Sequence, residues 1–428
     1  MEPNKSMPFG DIDILTLFMT RPLEYFLMTT IFLAISYILT QYSRSNLNDY
    51  PVVNASRKGL LSGRIGTRRA FTHDALNILR EGRTKYPDRA FRIEADFGEL
   101  LVLPPSLADE IRNEPKLSFG AATAEDFHGD IPGFQPFAQG SQDDEILQTV
   151  ARKQLTKSLS KITEPLSEET ASALAINFGD TTELRDILLY PAVLDTVARL
   201  SSRVFLGDRL CRDDIWLRMT KSYTTTAFQA AQRLRVYPRH LRKLVHWLQP
   251  ECRQLRAQLA EARGIVAAVI EERRQARKTA AEAGQPVPEY NDAIDWADQE
   301  AARKRSTRYD PAVFQLILSV AAIHTTTDLT CQVILDLARH LEFIQPLREE
   351  ISSVLGAEGW KKTALYNLKL LDSCIKESQR VKPINATIHR GPEQWDGRRF
   401  LRMRSEPGKE NKAQLVSTSA EHLGGLSH

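Results

Sequence analysis

The chain has 428 residues, with 57 lysines and arginines against 54 aspartates and glutamates and a net charge of +3. Its 42% hydrophobic and 26% charged content fits a folded globular protein of one large or two ordinary domains. So small a net charge leaves no electrostatic footprint for nucleic acid, and no zinc-finger, RRM-like or basic-zipper pattern appears.

Taken in chain order, the first feature is Tyr25 to Ser43, which carries no charge and is mostly apolar. As a helix it would span roughly 28 Å, close to the hydrocarbon thickness of a bilayer. Arg44, Arg57, Lys58, Arg64, Arg68 and Arg69 follow it, so the positive-inside bias predicts a single-pass anchor with the body of the protein in the cytosol. The expected layout is a lumenal N-terminus at 1–24, a transmembrane anchor at 25–43, a hinge at 44–56 and the body of the protein at 57–428. The alternative is a buried soluble helix, because Thr29, Thr30 and Ser36 dilute the run. Of the sequons at Asn4, Asn54 and Asn385, only Asn4 faces the lumen in this topology.

Asn48 to Pro51 is a turn-rich break. Phe91 to Ile93 and Glu99 to Leu103 read as short strands, the second ending at Pro104 and Pro105. Phe119 to Gly140, rich in glycine and aromatic residues, reads as a long loop of the kind that carries function. From Asp143 onward the pattern is helical. Pro191 to Phe205 has apolar residues at helical spacing with Gly207 as its stop. Ala227 to Lys278 is interrupted by Pro238, Pro250 and Gly264, and the polar stretch Ala280 to Asp310 reads as a connecting excursion. The basic cluster Arg233, Arg235, Arg239, Arg242 and Lys243 is read as a solvated helix face, with a membrane or acidic-partner contact as the alternative.

Pro311 to Leu341 is the strongest structural signal. Asp310 suits an N-cap, Pro311 a first turn, and apolar residues cover most of the surface, which predicts a helix buried in a large core. Its middle reads Ala322-Ile323-His324-Thr325-Thr326-Thr327-Asp328. The threonine hydroxyls either bond back to the carbonyl one turn before or loosen the helix beside a ligand. A further helix, Leu370 to Arg380, places Glu377 and Arg380 three apart on one face and ends at Val381-Lys382-Pro383. The cysteines Cys211, Cys252, Cys331 and Cys374 lie far apart with no CxxC and no HxxxH partner, which argues against a structural zinc cage.

The Thr-bearing helix followed by Glu377-x-x-Arg380 resembles the cytochrome P450 family, most closely fungal microsomal enzymes of terpenoid-like secondary metabolism. The resemblance implies a mainly α, cytochrome P450-like fold with a small β region, incomplete at the C-terminus, plus one N-terminal transmembrane helix. It implies a haem cofactor and electrons from an NADPH-cytochrome P450 reductase at the endoplasmic reticulum membrane. A lipophilic small-molecule substrate completes the partners, with no nucleic acid. Residue by residue, Thr325 matches the threonine that orients bound dioxygen and its proton-donating water. His324 stands at a usually acidic position and could carry protons near neutral pH. Glu377 and Arg380 match a buried ion pair, Arg399 would complete its cluster, and Arg390 would meet a haem propionate. No metal ligand is assigned, because after Glu421-His422-Leu423-Gly424 the sequence reads Gly425-Leu426-Ser427-His428, without the thiolate that favours O–O cleavage in this family. Two readings stay open: a monooxygenase of a lipophilic secondary metabolite, or a haem-less remnant.

Overall fold

The computed structural model describes residues 27–32, 35, 49–54 and 62–383, apart from 96–97, 112–113, 115–116, 143, 181–182 and 184–185. The small β region is an antiparallel pair, β1 (Phe91–Ala95) and β2 (Gly98–Val102), with Phe91 opposite Val102 and Ala95 opposite Gly98. Phe91, Ile93 and Ala95 alternate inward and pack on Phe71 of α1 (Ser62–Lys85), as the period of a half-buried strand requires. Residues 51–54 lie along the other edge of β1. The Arg92 amide donates to the Pro51 carbonyl (2.8 Å), and the Asn54 side chain exchanges two bonds with the Glu94 backbone (2.9 and 2.8 Å). The Asn54 sequon therefore has its amide committed to the sheet.

The expected loop at 119–140 departs from its reading. Ser118 accepts the Ala121 amide (3.2 Å) and caps a helix, α2 (Phe119–Asp126), so composition hid an element that its cap residue announces. Beyond it the chain turns inward. Phe127, Ile131, Phe134 and Phe137 are buried, with Phe127 stacked on Phe137 at 4.4 Å and meeting Phe228 edge-on at 4.6 Å.

The helical body consists of α3 (Leu155–Phe178), α4 (Leu189–Leu210), α5 (Asp214–Arg235), α6 (Arg239–Val245), α7 (Pro250–Glu282), α8 (Ala293–Lys304), α9 (Pro311–Arg339), α10 (Ile344–Glu358) and α11 (Lys369–Val381). Asp310 caps α9 as its sequence predicts, accepting the Ala312 and Val313 amides at 3.0 and 3.2 Å. Helices α4, α5, α7, α8 and α11 all pack on α9. The main core forms there, from Trp216, Tyr223, Leu234, Leu255, Leu259, Leu316 and Ile323 among others. α9 is the one helix among the described residues long and apolar enough to cross a membrane, and it is instead a core helix.

Three other boundaries differ from the sequence reading. Gly207 kinks α4 instead of ending it (φ +84), because helical residues resume on its far side. Gly264 does not interrupt α7, where no side chain crowds its position. The stretch 280–310 contains α8, whose Ala293, Ile294, Trp296 and Ala297 are buried. Part of its polarity is inward-facing: Arg273 forms buried ion pairs with Asp292 and Asp295 (2.9 and 3.0 Å), and the half-exposed Arg277 reaches Asp295. A charge-poor stretch was the expected sign of a buried helix, and paired charges masked it.

Members of the basic cluster around α6 are locally neutralised. Arg233 pairs with Glu251 (3.0 Å), Lys243 with Asp130 (2.8 Å), and Arg239 with Glu125. Of the expected anchor, positions 27–32 and 35 are helical with Leu27, Met28, Ile31, Phe32 and Ile35 exposed, and the rest of 25–43 lies outside the described residues.

Candidate active site

Helix α9 is buried along most of its N-terminal half, but its middle is open on one side. Ala321 and Thr326 are exposed and Thr325 is half-buried, whereas Ile323, His324 and Thr327 are buried. Residues 321 and 325 are one turn apart, so the open positions form a strip along a single face. Thr325 Oγ1 donates to the Ala321 carbonyl at 2.5 Å, and Thr327 Oγ1 to the Ile323 carbonyl at 2.7 Å. The hydroxyls therefore bond back within a continuous helix, the first of the two possibilities that the sequence left open, and no loosened turn is present.

His324 sits about 100° round the helix from Thr325 and points elsewhere. Its ring is buried between α9, α4 and α5. Nε2 is 3.0 Å from the Lys221 carbonyl and Nδ1 is 3.4 Å from the Tyr190 hydroxyl. Burial holds its pKa below the usual histidine value, so the ring is neutral at neutral pH. Burial, with the nearby Asp328 carboxylate, raises the Tyr190 pKa, which keeps that hydroxyl protonated and a donor. The tautomer follows: Nε2–H donates to the Lys221 carbonyl and Nδ1 accepts from Tyr190. The structure thus does not bring His324 and Thr325 together on one face. Tyr190 and Lys221 were not legible as site residues, since each acts through one atom with no motif around it.

Glu377 and Arg380 are brought together as the spacing predicts. Glu377 is fully buried on α11 and takes a two-pronged bond from Arg380, Nε to Oε2 at 2.7 Å and Nη2 to Oε1 at 2.8 Å. That bond raises the Arg380 pKa, so the guanidinium stays charged. Glu350 of α10 accepts the Leu370 and Leu371 amides (2.7 and 3.0 Å), capping α11 with a carboxylate at its positive end. Lys382, just past α11, reaches Asp328 of α9 at 3.5 Å and ties this helix to the turn after Thr325. Arg390 and Arg399 lie outside the described residues.

These features together match one family. Residues 137–394 match the Cytochrome P450 family model. The chain is 45% identical over 387 residues to the cytochrome P450 monooxygenase hepE of Aspergillus oryzae, covering 82% of this chain and 70% of that protein. It is 44% identical over 373 residues to a cytochrome P450 monooxygenase 1 of Gibberella fujikuroi (79% and 84% covered), and 41% over 385 residues to the TRI1 monooxygenase of Fusarium sporotrichioides (81% and 69%). The chain belongs to the cytochrome P450 family. A solved structure titled as a retinoic acid bound cyanobacterial CYP120A1 shares the fold, with a TM-score of 0.51 at 15% identity over 77% of this chain and 78% of that one. Nothing in these relationships favours the haem-less reading over the P450 monooxygenase reading.

The family implies a haem, a redox partner and a small-molecule substrate. The open strip of α9 offers a wall of small and hydroxyl side chains against which a flat apolar group could lie. The described residues do not supply the axial thiolate. Cys331 packs on Val193 and Val197, Cys374 on Phe343, Leu347 and Leu370, and Cys211 and Cys252 are fully buried. Burial pushes the Cys211 and Cys252 thiols up to about 11, the opposite of what a thiolate ligand needs. The described residues thus offer an open face on α9 but no thiolate for the iron of a haem.

Proposed function

We propose that this P450 monooxygenase oxidises a lipophilic fungal secondary metabolite held against the open strip of α9, and that Thr325 faces the reacting oxygen. The observation that carries this reading is the strip itself: a Thr-bearing face left open on the helix round which the core is built. In the family, haem supplies dioxygen activation, placing one oxygen atom on substrate and releasing the other as water with two electrons and two protons. This chain's own contribution is shape and placement. The inward-turned Phe127 and Phe137, packed on Phe228, with Phe134 buried in the same cluster, support the 119–140 segment beside α9 with apolar bulk, in keeping with an apolar ligand. Thr325 is held at a fixed rotation by its bond to the Ala321 carbonyl.

Glu377 and Arg380 are proposed to brace the segment that follows α11, with Arg399 completing the cluster and Arg390 meeting a haem propionate. Electrons would come from an NADPH-cytochrome P450 reductase, and residues 25–43 would anchor the protein in the endoplasmic reticulum membrane with the catalytic body in the cytosol. His324 remains a candidate for the site at its usually acidic position, but its two bonds favour a supporting role.

The test is the reduced, carbon-monoxide difference spectrum of the purified 428-residue chain. A Soret band typical of thiolate-ligated haem supports the reading. A chain that folds and carries no haem overturns it.

A further inference from the structure

The two tethers that meet on α5 belong to different parts of the molecule. At one, the Lys221 carbonyl accepts from His324 Nε2 of α9 at 3.0 Å. At the other, two residues on, the Tyr223 hydroxyl donates to the Gly133 carbonyl at 2.6 Å, with Tyr223 fully buried. Gly133 is itself wedged against α7. Its φ is +101, which strains any side chain, and a Cβ there would be crowded at 3.0 Å from the Leu255 Cβ and 3.2 Å from the Arg256 amide nitrogen, so the position favours glycine. The inward-turned segment between Phe127 and Phe137 is thus fastened to the same turn of α5 that grips α9 beside Thr325.

We propose that His324 and Tyr223 are positioning residues that make α5 a tie bar between the aromatic segment 127–137 and the Thr325 turn of α9. His324 has neither a spare proton nor a spare lone pair for Thr325. Nε2–H is given to Lys221 and Nδ1 is filled by Tyr190. What it does have is a grip on α5 from the position immediately before Thr325. That grip fixes the rotation of α9 and hence the direction in which Thr325 points. A displacement of the 127–137 segment by a bulky apolar molecule would pull on Gly133, then on Tyr223, then through one turn of rigid helix on the Lys221 carbonyl. The groups facing His324 are the Tyr190 hydroxyl of α4, the Lys221 carbonyl of α5, and Asp328 of its own helix through Tyr190. The tie rests on geometry alone. Its service to Thr325 rests on the function proposed above, and the experiment reads the tie without needing turnover.

The experiment is amide hydrogen exchange on the full chain, comparing wild type with Tyr223→Phe, His324→Leu, His324→Gln and the core control Leu259→Ala. Tyr223→Phe removes only a hydroxyl and is expected to speed exchange about tenfold both in 127–137 and in 321–328, the loss of one buried hydrogen bond felt at both ends. His324→Leu should do the same from the other side. His324→Gln, which restores a donor to the Lys221 carbonyl, should recover most of the protection. Leu259→Ala should loosen the core without singling out these two segments. Effects confined to one end overturn the tie bar: Tyr223→Phe felt only in 127–137, or His324→Leu only in α9.

Discussion

His128 gives the structure a built-in acid weakness. It opens the inward turn after α2, is 5% exposed, and adopts a positive φ of +53. Its Nε2 is buried with no hydrogen-bond partner among the described residues. Burial, then the positive charges of Arg242 and Arg235, lower its pKa to about 4, with the Ala231 backbone and then Asp130 working the other way. The unfolded chain binds the proton near 6.5, so between 6.5 and about 4 the unfolded state holds one proton more than the folded state. Stability therefore falls as pH drops through that window, at about 1.4 kcal/mol per pH unit, and levels off below pH 4 after a loss of about 3 kcal/mol. Asn tolerates the left-handed backbone and cannot titrate, which makes His128→Asn the matched comparison. Urea unfolding of both proteins from pH 7.5 to pH 4 isolates the histidine, because every other group contributes equally to each. The difference in stability between wild type and variant should shrink or invert by about 3 kcal/mol towards pH 4. Parallel profiles would refute the reasoning and place the ring in contact with water or a carboxylate.

The remaining predictions concern the α10–α11 region and the thiols. Glu377→Ala removes the buried carboxylate that holds the Arg380 guanidinium. Removing one partner of a buried pair costs about 3–5 kcal/mol, and because Arg380 keeps 15% exposure the lower end is expected in urea unfolding. A cost under about 1 kcal/mol would mean that the pair is not buried as described. Glu350→Ala removes the carboxylate from the start of α11 and should cost about 1 kcal/mol, with exchange raised first at Leu370 and Leu371. Cys211 and Cys252, with pKa values pushed up to about 11, should resist alkylation in the native protein at pH 7.5 and react at once on unfolding. Rapid native labelling of either would contradict their burial.

Much of the framework was legible because it rests on local rules. Asp310-Pro311 announces the start of α9, the three-residue spacing of Glu377 and Arg380 puts them on one face, and alternation marks β1. What was missed depended on partners distant in sequence. The stretch 280–310 read as a polar connection because Asp292 and Asp295 count as surface residues until Arg273 and Arg277 are seen beside them. The 119–140 segment read as loop because its aromatics have no helical period. They are placed instead by contacts with Phe228 and Leu255, about a hundred residues away, and by one glycine pressed against α7.

His324 shows most clearly where spacing stops being informative. A histidine beside a threonine in a buried helix invites a proton-transfer reading, since histidine titrates in the right range. Adjacent helical residues, however, diverge by about 100°, so sequence neighbours on α9 are not neighbours in the site. Thr325 belongs to the open strip with Ala321. His324 belongs to the interior with Tyr190 and the Lys221 carbonyl, and burial makes it neutral. The family usually places an acid there, which in this interior would need a charge partner. Here the groups in contact with the ring are the Lys221 carbonyl and the Tyr190 hydroxyl, neither of them a cation, and the Lys221 ammonium is engaged by Asp195. A neutral donor that satisfies one backbone carbonyl is the residue this packing can accommodate, and that is the physical reason for reading His324 as a support for Thr325 and not as its proton source.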